Sequence, residues 1–260
     1  MSPIARLVAV TSGLVDRFGP QQPLARRRDD ASAYWADTDG DLWSSDSHWR
    51  SGLGEEAWHE VGREHLMTFE TMARALGKTQ PYGVVIEWGC GGGANAVAFA
   101  PHSEKFIAAD ISAASLVECE RQVHAACPTP VESILIDIDQ PEEAVTGRED
   151  SCDVFLCVYV LELTAGREEA LRIVRIAERL LASGGIAFIQ VKYHTASMRT
   201  RGHIRNYRKN AANMTTFGID EFWLRTVECG LTPRLITLVP ENRLDRRYAY
   251  FVLTKDAPRC

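Results

Sequence analysis

Val84-Val85-Ile86-Glu87-Trp88-Gly89-Cys90-Gly91-Gly92-Gly93-Ala94-Asn95 runs from an apolar stretch through a glycine turn into the start of a helix. Glycines let the chain turn tightly and let a ligand approach with no Cβ in the way. A loop of this kind at the carboxyl end of a parallel strand lies where open α/β sheets bind ligands. The next apolar run, Lys105-Phe106-Ile107-Ala108-Ala109-Asp110, ends on an acid 21 residues after Gly89. A carboxylate there can accept two hydrogen bonds from a ribose diol. Working outward, further apolar runs fall at Ile134–Ile136, Val154–Val160 and Ile186–Val191. They are short, β-branched and not alternating, as strands buried on both faces of a parallel sheet are. Helical patterns near Ser112–Ala126 and Arg167–Leu181 separate them. In the second, Leu171, Val174, Ala177 and Leu181 approximate one stripe. Strand and helix in alternation predict a doubly wound α/β sheet. A helix from about Asp220 to Cys229, ended by Gly230, precedes two last strands, Leu235–Val239 and Tyr248–Leu253. The link between those strands is too short for a helical crossover, so they should pair antiparallel.

The chain of 260 residues gives room for one α/β domain over 1–260. It divides into an N-terminal helical extension or cap (1–80), a core (81–191), a basic insert or lid (192–218) and a closing helix with two strands (219–260). Net charge is −6, which disfavours a surface built to coat nucleic acid. The distribution is uneven. Residues 81–191 hold 17 acidic and 7 basic side chains, and residues 192–260 hold 6 and 13. An acidic middle suits a cationic ligand and a basic end suits an anionic one, although solvated faces of opposite sign would read the same way. Seven cysteines with no C-x-x-C pair signal neither a zinc site nor a disulfide framework, and a reducing cytoplasm is the expected compartment. No apolar stretch approaches the ~18–20 residues of a membrane span. Leu7–Val15 is only faintly like a signal segment, with Asp16 and Arg17 behind it. Turn-rich text at Asp37–Asp41 precedes a periodic stretch from about Glu55 to Leu76. Four of the six tryptophans lie between Trp35 and Trp58. Such a cluster either lines a pocket or packs the extension onto the core.

Two cofactor classes fit the glycine loop. Gly89-x-Gly91-x-x-Ala94 satisfies the relaxed dinucleotide fingerprint, so a dinucleotide-dependent oxidoreductase is one reading. The longer text is more specific. Glu87-Trp88-Gly89-Cys90-Gly91-Gly92-Gly93 resembles motif I (E/D-x-G-x-G-x-G) of the class I S-adenosylmethionine-dependent methyltransferases. Asp110, Asp137 in Ile134–Ile138, Asp153–Glu162 and Leu180-Leu181-Ala182-Ser183-Gly184-Gly185 are similar, in order, to that family's later motifs. The resemblance implies a mostly parallel, seven-stranded Rossmann-like sheet whose last strand is antiparallel. It implies S-adenosylmethionine as cofactor, contacted by Glu87, Gly89, Cys90, Gly91, Gly93, Asp110, Ile111, Asp137, Ile138 and Cys157. A sulfonium and an ammonium without phosphate also suit the acidic segment. Each acid has a plainer use: Asp137 can cap a turn, Glu87 can bind loop amides, and Asp153 can end a loop. Two departures matter. The family's V-L-E-H run reads Val160-Leu161-Glu162-Leu163 here, so it supplies no His base. Asn-Pro-Pro-Tyr and Pro-Cys motifs are absent, against the common DNA-methylating enzymes.

The strand ends beside the cofactor's methyl supply Tyr159 and Glu162 after the fourth strand, and Lys192, Tyr193 and His194 after the fifth. His194, Glu162 and Tyr159 are the expected catalytic residues, with His194 first as general base. His48, His59 and His65 could enter the pocket from the extension. The segment 192–209, with Tyr193 and Tyr207 among its cations, reads as a lid over an acidic small molecule, as an RNA contact, or as a solvated loop. A small-molecule substrate is the expectation, methylated on a hydroxyl of a sugar or polyketide-like metabolite. An RNA or protein methyltransferase is the alternative. No ligand cluster demands a metal, although a divalent ion remains open. Nucleic-acid and membrane partners are disfavoured, and a homodimer is left open.

Overall fold

A computed structural model describes residues 22–36, 50–202, 207, 211–241 and 246–257. His48, Trp43, Trp49, the Asp37–Asp41 turn, Leu7–Val15 and the cations Arg205, Arg208 and Lys209 lie outside them.

Seven strands form one sheet: β1 Val84–Trp88, β2 Lys105–Asp110, β3 Val131–Leu135, β4 Cys152–Cys157, β5 Leu181–Lys192, β6 Thr232–Leu238 and β7 Tyr248–Thr254. Their order is β3-β2-β1-β4-β5-β7-β6. β1 to β5 pair parallel, and β7 runs antiparallel between β5 and β6. Besides a single turn at Arg50–Leu53, the α-helices among the described residues are α1 Leu24–Ala36, α2 Glu55–Ala75, α3 Ala94–Phe99, α4 Ala113–Ala126, α5 Arg167–Leu180 and α6 Ile219–Glu228. The expected Rossmann-like topology is therefore present. β3 departs from its expected position. It covers 131–135, not 134–136, because Glu132, Ser133 and Leu135 face outward on the edge strand. An edge strand carries polar residues that a search for apolar runs passes over.

Side chains alternate across the sheet. Ile86 and Trp88 belong to the core layer under α5 and α6, while Val85 belongs to the opposite layer with Phe69 of α2, Phe99 of α3 and Leu116 of α4. α5 begins after Gly166 with Glu168 and Glu169 in its first turn and Arg179 in its last, the charge order the helix dipole favours. It buries Ala170, Leu171, Val174, Ala177 and Leu180. α2 buries Trp58, Val61, Gly62, His65, Phe69, Met72 and Ala73, one stripe at helical spacing. Phe69 meets Tyr82, Phe99 and Phe188 ring to ring. So α2 is part of the sheet's own covering layer. Gly62 explains the close fit, since a Cβ there would lie 2.0 Å from the Ala94 carbonyl oxygen. Asp153 sits inside β4, at the sheet end opposite the glycine loop, and its Oδ2 accepts a hydrogen bond from Val84 N at 2.8 Å.

Candidate active site

The strand order reverses between β1 and β4, the crevice where open α/β sheets take ligands. A cavity of about 1100 Å³, counting its solvent-filled mouth, lies there. Its floor is Trp88, Gly89, Gly91 and Gly92 with Tyr159 and Val160. Asp110, Ile111, Ile136 and Ile138 form one wall, and Leu163 to Ala165 with Glu169 and Ile173 form another. Arg28, Ala31 and Trp35 of α1 and Tyr207 close the top.

The loop geometry follows from its glycines. Gly89 has φ +77°, and a Cβ there would meet Val160 Cγ2 at 2.4 Å. Gly93 is left-handed (φ +93°) where α3 begins. Asp110 ties the loop to β2: its Oδ2 accepts from Gly91 N and its Oδ1 from Ser112 N, each at 2.9 Å. Ser112 in turn caps α4, its Oγ accepting from Ser115 N at 3.2 Å. The Asp110 carboxylate is thereby held at the cavity wall with each oxygen used once among these bonds.

α1 is fixed over the cavity by polar contacts at both ends. Arg28 makes a two-pronged pair with Glu169 at 2.6 and 3.1 Å. Arg27 donates to the Ala165 carbonyl. Trp35 Nε1 donates to Tyr207 Oη, which donates to the Leu163 carbonyl, both at 2.7 Å. Of the Trp cluster, Trp35 lines the cavity and Trp58 is wholly buried. Several acids of 81–191 are paired within that segment: Arg172 pairs with Glu142 and Glu169, Arg121 with Glu118, and Lys105 with Glu132. Asp110 and the Arg28-paired Glu169 are the carboxylates on the wall.

The other expected contact residues divide. Asp137 is exposed and its Oδ1 accepts from Asp139 N at 2.8 Å, an Asx turn, while its neighbours Ile136 and Ile138 face the cavity. Cys90 and Cys157 are buried beneath the loop and the β4 end. Glu87 is 1% exposed, and its Oε1 accepts from Asn95 Nδ2 at 2.7 Å rather than from a loop amide. Its Oε2 is buried with no hydrogen-bond partner among the described residues. Burial pushes its pKa up to about 8, opposed by the Asn95 bond and reinforced by Asp110. Of the expected catalytic residues, Tyr159 lines the cavity, with a left-handed φ of 58°. Gln190 Oε1 accepts from Tyr159 N at 2.9 Å. Glu162 is buried behind it, accepting from Tyr248 Oη at 2.8 Å. Lys192 is also buried, 5.0 Å from the Tyr248 ring centroid. His194 is half-buried away from the wall residues, its Nδ1 3.4 Å from Thr216 Oγ1. Burial, then the nearby Arg167, lower its pKa from 6.5. His65 does not stand open in the pocket: it is buried, with Nδ1 2.7 Å from Asn95 Oδ1 and its ring 5.3 Å from that of Tyr159. Sequence reasoning missed Asn95 and Gln190, both polar residues inside apolar text, and the signal available was that polarity. Among the described residues no group of three or more His, Cys, Asp or Glu could hold a metal.

A carboxylate on the wall and a glycine floor open to a ligand suit a nucleoside. The class defined is that of nucleoside-cofactor enzymes with a parallel sheet. Residues 86–187 match the family model of a methyltransferase domain. Those residues are thus a methyltransferase domain, and the match favours the S-adenosylmethionine reading of the loop over the dinucleotide one. No curated protein matches it by sequence. Among solved structures it is similar to a magnesium protoporphyrin IX methyltransferase from Synechocystis with bound S-adenosylhomocysteine, at 15% identity and TM-score 0.63, over 88% of this chain and 100% of that one. A Burkholderia thailandensis 1,6-didemethyltoxoflavin N1-methyltransferase, with its substrate and S-adenosylhomocysteine bound, aligns at 16% identity and TM-score 0.58, over 92% of each chain. A Haloferax volcanii methyltransferase in complex with the activator Trm112 aligns at 15% and 0.58, over 84% of this chain and 97% of that one.

Proposed function

We propose that this enzyme methylates a hydroxyl oxygen of a small metabolite, of sugar or polyketide-like kind, held between Tyr159 and the roof formed by α1 and Tyr207. The observation that carries this reading is Tyr159. It alone of the expected catalytic residues reaches the cavity, and it does so in a backbone conformation that is strained for a non-glycine residue. Such strain is retained where the surroundings over-determine a functional geometry, and here Gln190 pins the backbone. A helix lying across the opening favours a small acceptor over a polymer. The substrates in the two named small-molecule relatives are of that size class.

When bound, S-adenosylmethionine supplies a methyl group activated on a sulfonium. The chain's own residues align and exclude water. Asp110 would take the ribose diol, Gly89 and Gly91 would admit the amino-acid portion, and Ile111 and Ile138 would flank the base, all five lining the cavity. Tyr159 abuts the acceptor, and alignment of this kind supplies much of the rate. His194, outside the cavity lining, is proposed to take the acceptor's proton by relay through water, and burial, then Arg167, lower its pKa and favour the neutral, proton-accepting form. Glu162 and Tyr248 form the polar backing of that end of the site. The cytoplasm remains the proposed compartment, with Cys90, Cys119, Cys127, Cys152, Cys157 and Cys229 all unbridged. No helix among the described residues is long and apolar enough to cross a membrane.

The test is turnover of hydroxylated metabolites with methyl-labelled cofactor, for wild type and His194→Ala. A base typically contributes 10²–10⁴-fold. The variant should lose at least about a hundredfold in kcat, with S-adenosylhomocysteine affinity unchanged. An unchanged kcat removes His194 from the mechanism.

A further inference from the structure

Three buried polar side chains form a chain beneath the cavity floor, and the alignment of acceptor and cofactor does not use it. His65 on α2, Asn95 on α3 and Glu87 on β1 are 3%, 7% and 1% exposed. Asn95 Nδ2 donates to Glu87 Oε1, so its own Oδ1 is the acceptor toward His65, and His65 carries a proton on Nδ1. Gly62, one turn before His65, lets α2 approach the Ala94 carbonyl closely enough to make this contact. With the proton on His65 Nδ1, the chain turns the Asn95 amino group toward Glu87.

The other groups acting on Glu87 give it no counter-ion. From β2 it faces the Asp110 carboxylate, a like charge. From the loop it faces Cys90, a thiol held neutral by its hydrogen bond with Cys119 and by burial. From the end of β4 it faces Cys157, held neutral by burial. No Lys or Arg among the described residues figures in its electrostatics. A carboxylate with one donor, an orphaned second oxygen and a like charge nearby is costly in a buried site, so the neutral acid is the stable form. Two residues on, Gly89 is part of the cavity floor, and the cofactor's amino-acid portion would bring an ammonium to that loop.

We propose that Glu87 is neutral in the cofactor-free enzyme and ionises as an S-adenosyl cofactor binds, with Asn95 and His65 as the positioning residues that hold it. The Glu87 O–H bond breaks, its electron pair stays on the carboxylate beneath the glycine loop, where the incoming ammonium offsets the charge, and the proton leaves to solvent. The inference rests on the cofactor assignment and is independent of which atom is methylated.

The experiment is calorimetric titration with S-adenosylhomocysteine at pH 7 in buffers of differing ionisation enthalpy, repeated across pH 6.5–7.5. With an acidity of about 8, wild type should release about 0.9 proton per cofactor bound, and its affinity should fall about eightfold from pH 7.5 to 6.5. Glu87→Gln keeps the shape and should release none, with an affinity flat across that range. His65→Leu frees the Asn95 amide to turn its oxygen to the neutral acid, and should weaken binding about tenfold. His65→Gln, which can still donate, should return to within threefold of wild type. Should the variants not fold, the wild-type buffer and pH series decides alone. Release below about 0.2 proton by wild type, or equal release by Glu87→Gln, overturns the proposal while leaving the cofactor in place. Failure of S-adenosylhomocysteine to bind wild type at all would overturn the cofactor assignment and this inference together.

Discussion

Asp110→Ala is the perturbation whose size follows most directly from the geometry. The carboxylate sits at the cavity wall, with Oδ2 taking Gly91 N and Oδ1 taking Ser112 N at 2.9 Å. The substitution removes the acceptors for a ribose diol and frees the glycine loop in one stroke. A hydrogen bond to a charged group is worth about 1.5–3 kcal/mol net, so losing even one predicts a weakening of roughly 10–100-fold. The two backbone N–H groups left behind add a stability cost of about 1–3 kcal/mol for each that stays dry. The assay is calorimetric titration with S-adenosylhomocysteine well below the variant's unfolding temperature, with Asp137→Ala alongside. The Asp137 carboxylate is exposed and caps Asp139 N, so its removal should cost less than that of Asp110. Binding by Asp110→Ala within threefold of wild type would refute the assignment of Asp110 to the cofactor.

Gly62→Ala places a Cβ 2.0 Å from the Ala94 oxygen. Overpacking costs about 1–3 kcal/mol, so thermal unfolding should drop by roughly 2–12 °C, and an unchanged or higher Tm would show that α2 does not press on α3 as described. Tyr207→Phe deletes the hydroxyl between Trp35 Nε1 and the Leu163 carbonyl. Amide exchange of residues 24–36 should speed up about 5- to 30-fold, for a loss of ~1–2 kcal/mol, and unaltered exchange would mean that this bond does not hold α1 down. Glu87→Gln also has a stability signature in the cofactor-free protein. The folded acid titrates near 8 against an ordinary 4.5, so the native state holds the extra proton and wild type loses stability as pH rises between those values. The variant's Tm relative to wild type should therefore climb from pH 5 to pH 8, and a constant difference would place the Glu87 acidity in the ordinary range.

Much of the fold was legible because it is written in buried strands. β1, β2, β4 and β5 are apolar on both faces, and the glycine loop and Asp110 stand at fixed distances from them. β3 was legible only in its second half, since Glu132 and Ser133 sit on an edge where polarity costs nothing. α1 gave no apolar stripe to read: its sequence Leu24-Ala25-Arg26-Arg27-Arg28-Asp29-Asp30 is mostly charged, and it is held by Arg27, Arg28 and Trp35 reaching the core. The site was partly legible. Local text singled out Asp110 and the family resemblance added Ile111 and Ile138, all of which line the cavity wall, and Tyr159 was read at the strand end. It could not show that Glu87 points into the layer under α2 and α3, because that follows from the alternation of β1 and from Gly62 and His65 a long way off in sequence. Nor could it show that Tyr248, from the last strand, closes on Glu162.

Methyl transfer is tested most directly by mass spectrometry and NMR of products formed from cofactor labelled in its methyl carbon, offered with a panel of hydroxylated metabolites alongside RNA and protein substrates. The account predicts a small-molecule product bearing the label on oxygen, as a methyl ether, formed by wild type. Label found on RNA, on protein, or on a nitrogen or carbon of the small molecule would contradict it.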